Sequence, residues 1–273
     1  MKILNLSKDD VVLEPFPHVI KQNIIDPELY KELARDFPDT ILKNEKSMIA
    51  SRTGSGNDIY RGDDQYKYLT EQFNSWRQLD AYINSNKFMN LVIDLFGNFI
   101  DESYSPLNSQ SMEYTDYVEP REAMSPPQTN LLEKIRFSLG LKPKFEDSVV
   151  CNSIFSRLDI HSAMSGYGIP VHCDRANRVI SLIIYFCDAD ETGMVGGNLG
   201  IHKHKKAKKL WQYERHPNKD DTELIQTVSP QENLGVFFLC SNHSYHSATT
   251  IESIVKPRRF LYINISSKAK QVW

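Results

Sequence analysis

Long apolar runs are missing from this chain. No stretch approaches the roughly 18 consecutive apolar residues of a membrane span, and residues 1–10 have neither the basic start nor the apolar stretch of a secretory signal. The expectation is a cytoplasmic protein with no membrane partner. Cysteine is scarce: Cys151, Cys173, Cys187 and Cys240 include no CxxC pair and lie in or beside strand-like apolar segments. Reduced core or near-site thiols fit that placement, and it argues against a disulfide or zinc framework. Positive charge is not in excess, with 32 Lys and Arg against 35 Asp and Glu. Nothing in that balance points to a nucleic-acid partner. No internal repeat or low-complexity tract stands out. What remains is an ordinary soluble composition, 40% hydrophobic and 25% charged over 273 residues, long enough for one large domain or a domain with an elaborated flank.

The first half reads mainly as helix. Asp26-Pro27 is a helix start, with Asp26 as N-cap and Pro27 at the first helical position, and Leu29, Leu33 and Phe37 follow at helical spacing until Pro38. Before it, residues 16–20 form an extended piece suited to pair with the main sheet. Residues 51–64, rich in Gly, Ser, Asp and Arg, read as a loop. Leu69, Phe73, Trp76, Leu79 and Ile83 mark one amphipathic helix, and Phe88, Val92, Leu95, Phe96 and Phe99 another. Residues 101–129 read as an irregular connection, and Leu131, Leu132, Ile135 and Leu139 as a short helix closed by Gly140. From there the character changes. Short apolar segments at 149–158, 169–173, 179–187, 198–202, 223–228, 235–239 and 260–265 follow one another without helical periodicity between them, which predicts an antiparallel sandwich or barrel over βαβ units. The fold class is therefore α+β, with a helical flank at 1–147 and a β core at 148–273 in one domain spanning 1–273.

Chemistry concentrates in the β half. In Pro170-Val171-His172-Cys173-Asp174, strand alternation sends His172 and Asp174 to one face, about 6.6 Å apart along the chain. An imidazole and a carboxylate so placed are two of the three ligands that hold non-heme Fe(II), whose other positions stay open. The third lies 74 residues on, in Ser244-Tyr245-His246-Ser247-Ala248. Then Pro257-Arg258-Arg259-Phe260-Leu261-Tyr262-Ile263 opens an apolar strand with a guanidinium pair. A guanidinium grips a carboxylate through a bidentate charge-assisted pair, which suits the far end of a dicarboxylate cosubstrate.

With these residues in view, the stretch from Ser156 to Ser266 resembles the 2-oxoglutarate/Fe(II)-dependent dioxygenases, especially the prolyl-4-hydroxylase-like branch. Tyr185-Phe186-Cys187-Asp188 stands where the family's apolar strand ends in Tyr-Leu-Asn. Gly196-Gly197-Asn198-Leu199 matches a GGxL turn, Gly235-Val236-Phe237-Phe238 the strand before the distal histidine, and Arg258 to Ile263 the closing Arg-x-x-Leu-x-Ile. The resemblance implies a double-stranded β-helix (jelly-roll, cupin-like) core. It assigns His172, Asp174 and His246 to iron, Arg258 to the distal carboxylate of 2-oxoglutarate, Tyr185 to a hydroxyl contact with that carboxylate, and Ser181 to the pocket lining. It implies Fe(II), 2-oxoglutarate and O2, with ascorbate as an optional reductant, and hydroxylation of a small-molecule, peptide or protein substrate with release of succinate and CO2. The retained Asp174 favours hydroxylation over halogenation. His161 and Ser162 stand where many relatives carry a tyrosine.

Rival readings have their own residues. Arg259 competes with Arg258, and His243 with His246. His202 and His204 form a second strand-spaced pair, set among Lys203, Lys205, Lys206, Lys208 and Lys209, whose charge opposes a cation and would instead draw an acidic substrate. A cupin-type metalloenzyme without 2-oxoglutarate requires a further imidazole and a nearby glutamate, and no Glu follows His172 closely. A β-sandwich binding module would leave the ordered spacing of His, Asp, His and Arg to coincidence.

Overall fold

The computed structural model describes residues 2–39, 56–103, 106–120, 139, 141, 145–206 and 213–273. A short strand β1 (His18–Lys21) precedes helix α1 (Pro27–Arg35), and β2 (Gly56–Tyr60) precedes α2 (Asp64–Gln72), α3 (Asn74–Ile83) and α4 (Asn86–Ser103). After β3 (Glu113–Tyr114) come the short helix α5 (Ser148–Asn152), β4 (Ser153–Ala163), β5 (Ile169–His172), β6 (Arg178–Tyr185) and β7 (Leu199–His204). The series closes with β8 (Thr222–Val228), β9 (Gly235–Leu239), β10 (Tyr245–Ala248) and β11 (Arg258–Ser267). Both α and β elements are thus present, as α+β requires. No described helix is long and apolar enough to cross a membrane.

Two sheets result. The larger runs β1-β9-β6-β11-β4-β2, with β3 parallel to β4 beyond its path, and the smaller runs β5-β10-β7-β8. Every other pairing is antiparallel. Alternation along each strand sorts the side chains. On β9, Phe237 packs outward against Phe88 and Phe96 of α4, while Phe238 turns inward to His246, with ring centroids 4.7 Å apart. On β4, the Ser156 hydroxyl donates to the carbonyl of Ile83 at the end of α3, and the odd-numbered Arg157 and Asp159 face the other way, into a cavity between the sheets. The helices cover the outer face of the larger sheet: Trp76 of α3 stacks on Phe186, which also stacks on Tyr30 of α1.

Several predicted elements take the expected form. The Asp26 side chain accepts from the backbone N–H groups of Glu28 and Leu29, Pro27 opens α1, and the helix stops short of Pro38. The extended piece before it enters the larger sheet as β1, on the edge of β9. Others differ. Residues 149–152 are helical because the Asp147 carboxylate caps the Val149 N–H; the strand begins only at Ser153. The predicted loop at 51–64 contains β2, which pairs with β4 through backbone hydrogen bonds that its polar sequence does not announce. The stripe from Leu69 to Ile83 is divided between α2 and α3, with Phe73 extended between them. Of the short helix predicted around Leu131 to Leu139 and closed by Gly140, residues 131–138 and 140 lie outside the described residues, and Leu139 stands exposed in a turn.

Candidate metal centre

His172 ends β5 and His246 lies on β10, and the two are direct partners in the β5–β10 ladder. Antiparallel pairing places opposed side chains on one face, which brings the two imidazole centroids to 4.3 Å. Asp174 follows β5 by two residues. One potential ligand atom from each of His172, Asp174 and His246 lies within 4.8 Å of the others, and all three residues are buried. Among the described residues this is the one such His/Cys/Asp/Glu group.

The imidazoles are preset for coordination by the backbone. His172 Nδ1 lies 2.9 Å from the Pro170 carbonyl oxygen and His246 Nδ1 lies 3.0 Å from that of Ser244. A carbonyl can only accept, so each Nδ1 carries the proton and each neutral Nε2 keeps a lone pair. Burial drives both pKa values down, and the neighbouring His246 adds to the effect at His172, which falls to about 3. Both rings are neutral at pH 7, the form a metal requires.

Asp174 is ionised for a different reason. Burial alone would raise its pKa, but the Arg178 guanidinium, the two histidines and the Ser181 hydroxyl hold it far below the usual carboxylate range. Arg178 Nη1 donates to Oδ1 at 2.7 Å and Ser181 Oγ donates to Oδ2 at 2.6 Å. The Tyr262 hydroxyl completes this group, bonded to both Arg178 and Ser181. Two imidazoles and an oriented carboxylate form a donor set that fits a divalent first-row metal and leaves part of its coordination sphere to other ligands.

The cavity around these residues has a volume of about 150 Å³ and is lined from both sheets. Arg258, at the start of β11, lines it and is 2% exposed. Its guanidinium lies over the rings of Phe260, Tyr185 and Tyr167, and one nitrogen sits 3.4 Å from the Tyr185 hydroxyl. Arg259 faces the opposite side of the strand, paired with Asp39 over the Phe37 ring.

The candidate residues separate by position. His172, Asp174, His246 and Arg258 converge on the cavity, whereas Tyr185 reaches it through Arg258 and Ser181 stands behind Asp174. His243 lies in the turn before β10, outside the cluster. His202 bonds Ser247, and His204 lies 3.6 Å from Glu214; that pair makes no metal cluster among the described residues. Lys205 and Lys206 are tied to residues 220 and 221 at the surface, away from the cavity; Lys208 and Lys209 are outside the described residues. Sequence reasoning missed Arg178 and Tyr262 beside Asp174, the buried pair Arg157–Asp159 on β4, and Arg215 and His216. A signal was present for two of these: polar side chains at 157, 159 and 161 alternate through an otherwise apolar strand, which places them on one inward face.

No protein-family model matches the chain, and no curated protein matches it. Among solved structures it is similar to a prolyl-4-hydroxylase of Pseudomonas putida, with 12% identity, 95% of this chain and 96% of that one covered, and a TM-score of 0.49. It is also similar to a Trichoplax adhaerens prolyl hydroxylase solved with a peptide fragment of the hypoxia inducible factor oxygen degradation domain, with 10% identity, coverage of 94% and 86%, and a TM-score of 0.47. A third is an oxidoreductase of the 2OG-Fe(II) oxygenase family from Burkholderia pseudomallei, with 12% identity, coverage of 94% and 88%, and a TM-score of 0.43.

Proposed function

We propose that the protein is an Fe(II)- and 2-oxoglutarate-dependent dioxygenase that hydroxylates a C–H bond of an amino acid, a peptide or protein residue, or another small molecule. The observation that carries this reading is the buried His172–Asp174–His246 cluster facing a cavity that also holds the Arg258 guanidinium. Strand order supports the accompanying fold reading, a double-stranded β-helix formed by β4 to β11: β4, β6, β9 and β11 belong to the larger sheet and β5, β7, β8 and β10 to the smaller. One cluster of buried apolar side chains extends from Leu4 to Trp273, which supports a single oxygenase domain, its flank at 1–147 packed on a core at 148–273.

Bound together, ferrous iron, 2-oxoglutarate and O2 would supply oxidative decarboxylation to succinate and CO2 coupled to oxygenation of the substrate. The chain's own work is positional. His172 and His246 present neutral nitrogens fixed by their own backbone, and Asp174 presents a carboxylate fixed by Arg178 and Ser181. Arg258, with Tyr185 beside it, binds the distal carboxylate of the cosubstrate in a buried setting where charge-assisted hydrogen bonds are strong. Phe260, Ile183 and Leu199 supply apolar wall and limit the water that reaches the centre.

The test is an anaerobic titration of the chelator-treated protein with Fe(II) and then 2-oxoglutarate, following the visible absorption of a metal-chelated 2-oxo acid, with Asp174→Ala and Arg258→Ala alongside. The reading requires a band in the parent protein that weakens in both variants. Iron uptake without a band would shift the reading to a cupin-type enzyme, and no iron uptake would refute both.

A further inference from the structure

We propose that the molecule oxidised in this cavity carries an anionic group, a carboxylate or a phosphate, held by the guanidinium of Arg215. The inference rests on the oxygenase reading above and names the substrate class for that same site.

Five arginines line the cavity: Arg157, Arg175, Arg178, Arg215 and Arg258. Three of them are matched by carboxylates. Arg157 pairs with Asp159 at 2.7 Å, Arg175 with Glu119 at 2.7 Å, and Arg178 with Asp174 at 2.7 Å. Arg258 and Arg215 have no carboxylate partner among the described residues, and the Nε of each is buried without a hydrogen-bond acceptor. Arg258 is buried and Arg215 half-buried; a guanidinium held partly out of water without a counter-charge loses hydration that an arriving anion makes good. In the oxygenase reading Arg258 receives its anion from the cosubstrate. Arg215 is the cation that this leaves unmatched.

Its position suits a substrate group. Arg215 lies between β7 and β8, and its carbonyl accepts the N–H of Cys173, the residue between two members of the triad. The segment is fastened on both sides: the Asn242 side chain accepts the Glu214 N–H at 2.9 Å, and the Tyr245 hydroxyl donates to the Glu214 carbonyl at 3.0 Å. His216, next in the chain, lies over the His172 ring at 6.1 Å. Arg258 enters from β11 in the larger sheet, so the two unmatched guanidinium groups come from separate walls with the triad among the residues lining the space they share. Each guanidinium offers the planar fork that fits a carboxylate or phosphate.

The full chain, loaded anaerobically with Fe(II) and 2-oxoglutarate, is titrated calorimetrically with acetate, with inorganic phosphate and with neutral acetamide. Parent, Arg215→Gln and Arg258→Gln proteins are compared, their fold checked by thermal unfolding. A lost charge-assisted hydrogen bond corresponds to roughly a tenfold or greater loss of affinity, so the preferred anion should bind Arg215→Gln at least that much more weakly than the parent, and acetamide should bind neither. Which of acetate and phosphate binds more tightly identifies the group. Uptake of 2-oxoglutarate should be unchanged in Arg215→Gln and lost in Arg258→Gln. Equal anion affinity in parent and Arg215→Gln, or no anion binding by the parent, overturns the proposal; so does a loss of 2-oxoglutarate in Arg215→Gln as large as in Arg258→Gln, which would place Arg215 in the cosubstrate site. If the parent takes up neither iron nor 2-oxoglutarate, the oxygenase reading fails, and the same anion titration of the unloaded chain still decides whether Arg215 is an anion site.

Discussion

Arg178 donates to one oxygen of Asp174 at 2.7 Å, four residues along the chain, and so fixes how the carboxylate faces the two histidines. Partners that orient a metal ligand typically contribute 10–100-fold to metal affinity. Arg178→Gln should therefore weaken Fe(II) or Co(II) binding by roughly that factor. It also leaves Asp174 buried without its cation, at a cost of about 3–5 kcal/mol. Metal titration and the urea midpoint of the variant read the two effects separately. Undiminished metal affinity would mean that the remaining partners, Ser181, Tyr262 and Cys240, suffice to orient Asp174.

The two adjacent arginines should behave as opposites. Arg258→Gln is expected to weaken 2-oxoglutarate binding at least tenfold, from the loss of about 1.5–3 kcal/mol of charge-assisted hydrogen bonding. Arg259→Gln, which loses a part-exposed pairing with Asp39 and a cation–π contact with Phe37, should leave cosubstrate affinity intact and cost about 1–2 kcal/mol of stability. Reversed effects in a 2-oxoglutarate titration would mean that β11 is registered one residue differently.

Acid should destabilise the metal-free protein early. His172 titrates near 6.5 when unfolded and about 3 when folded, because burial and His246 disfavour its charge. Between those values the unfolded chain binds a proton that the folded chain does not, so stability falls as pH drops below about 6.5 and is unaffected by this group above it. Asp174, held below its usual range, adds a further loss only below its unfolded value of 3.8. Denaturant midpoints at about pH 7.5 and pH 5 should differ in the parent and differ less in His172→Gln. A flat parent profile would show that His172 is not held neutral.

Gly196 tests the turn before β7. Its φ is +82°, and an added Cβ would run into the Thr250 carbonyl. Gly196→Ala combines backbone strain with a collision against rigid backbone, so a loss of about 2 kcal/mol or more is expected in equilibrium unfolding. A neutral result would mean that this turn rearranges freely.

What the sequence made legible was the chemistry with strict local order. The HxD pair is close in sequence, although β5 ends at His172 and Asp174, two residues past it, is held by Arg178 and Ser181 and not by strand alternation; the later histidine and arginine announce themselves by the apolar strands beside them. What it hid was whatever depends on pairing between distant strands. Nothing local says that His246 will face His172, that Tyr262 will bond Ser181, or that residues 56–60 will add to β4 as a strand. The run Val149-Val150-Cys151 has strand propensity, yet one capping carboxylate at Asp147 makes it helix. Arg215 was invisible for a related reason: its part in the cavity comes from a loop fastened to Asn242 and Tyr245, residues far from it in the chain.

Both histidines of the cluster are held through Nδ1 by a main-chain carbonyl two residues earlier in the sequence. Main-chain carbonyls are present whatever side chains surround them. Replacing wall residues such as Arg215 or Phe260 therefore leaves the tautomer of each imidazole in place, although the Arg215 charge adds to what keeps both rings unprotonated. A scaffold of this kind separates the hold on its metal-binding imidazoles from most of its wall, and a library aimed at wall residues other than Arg178 should yield altered substrate preference at undiminished metal affinity.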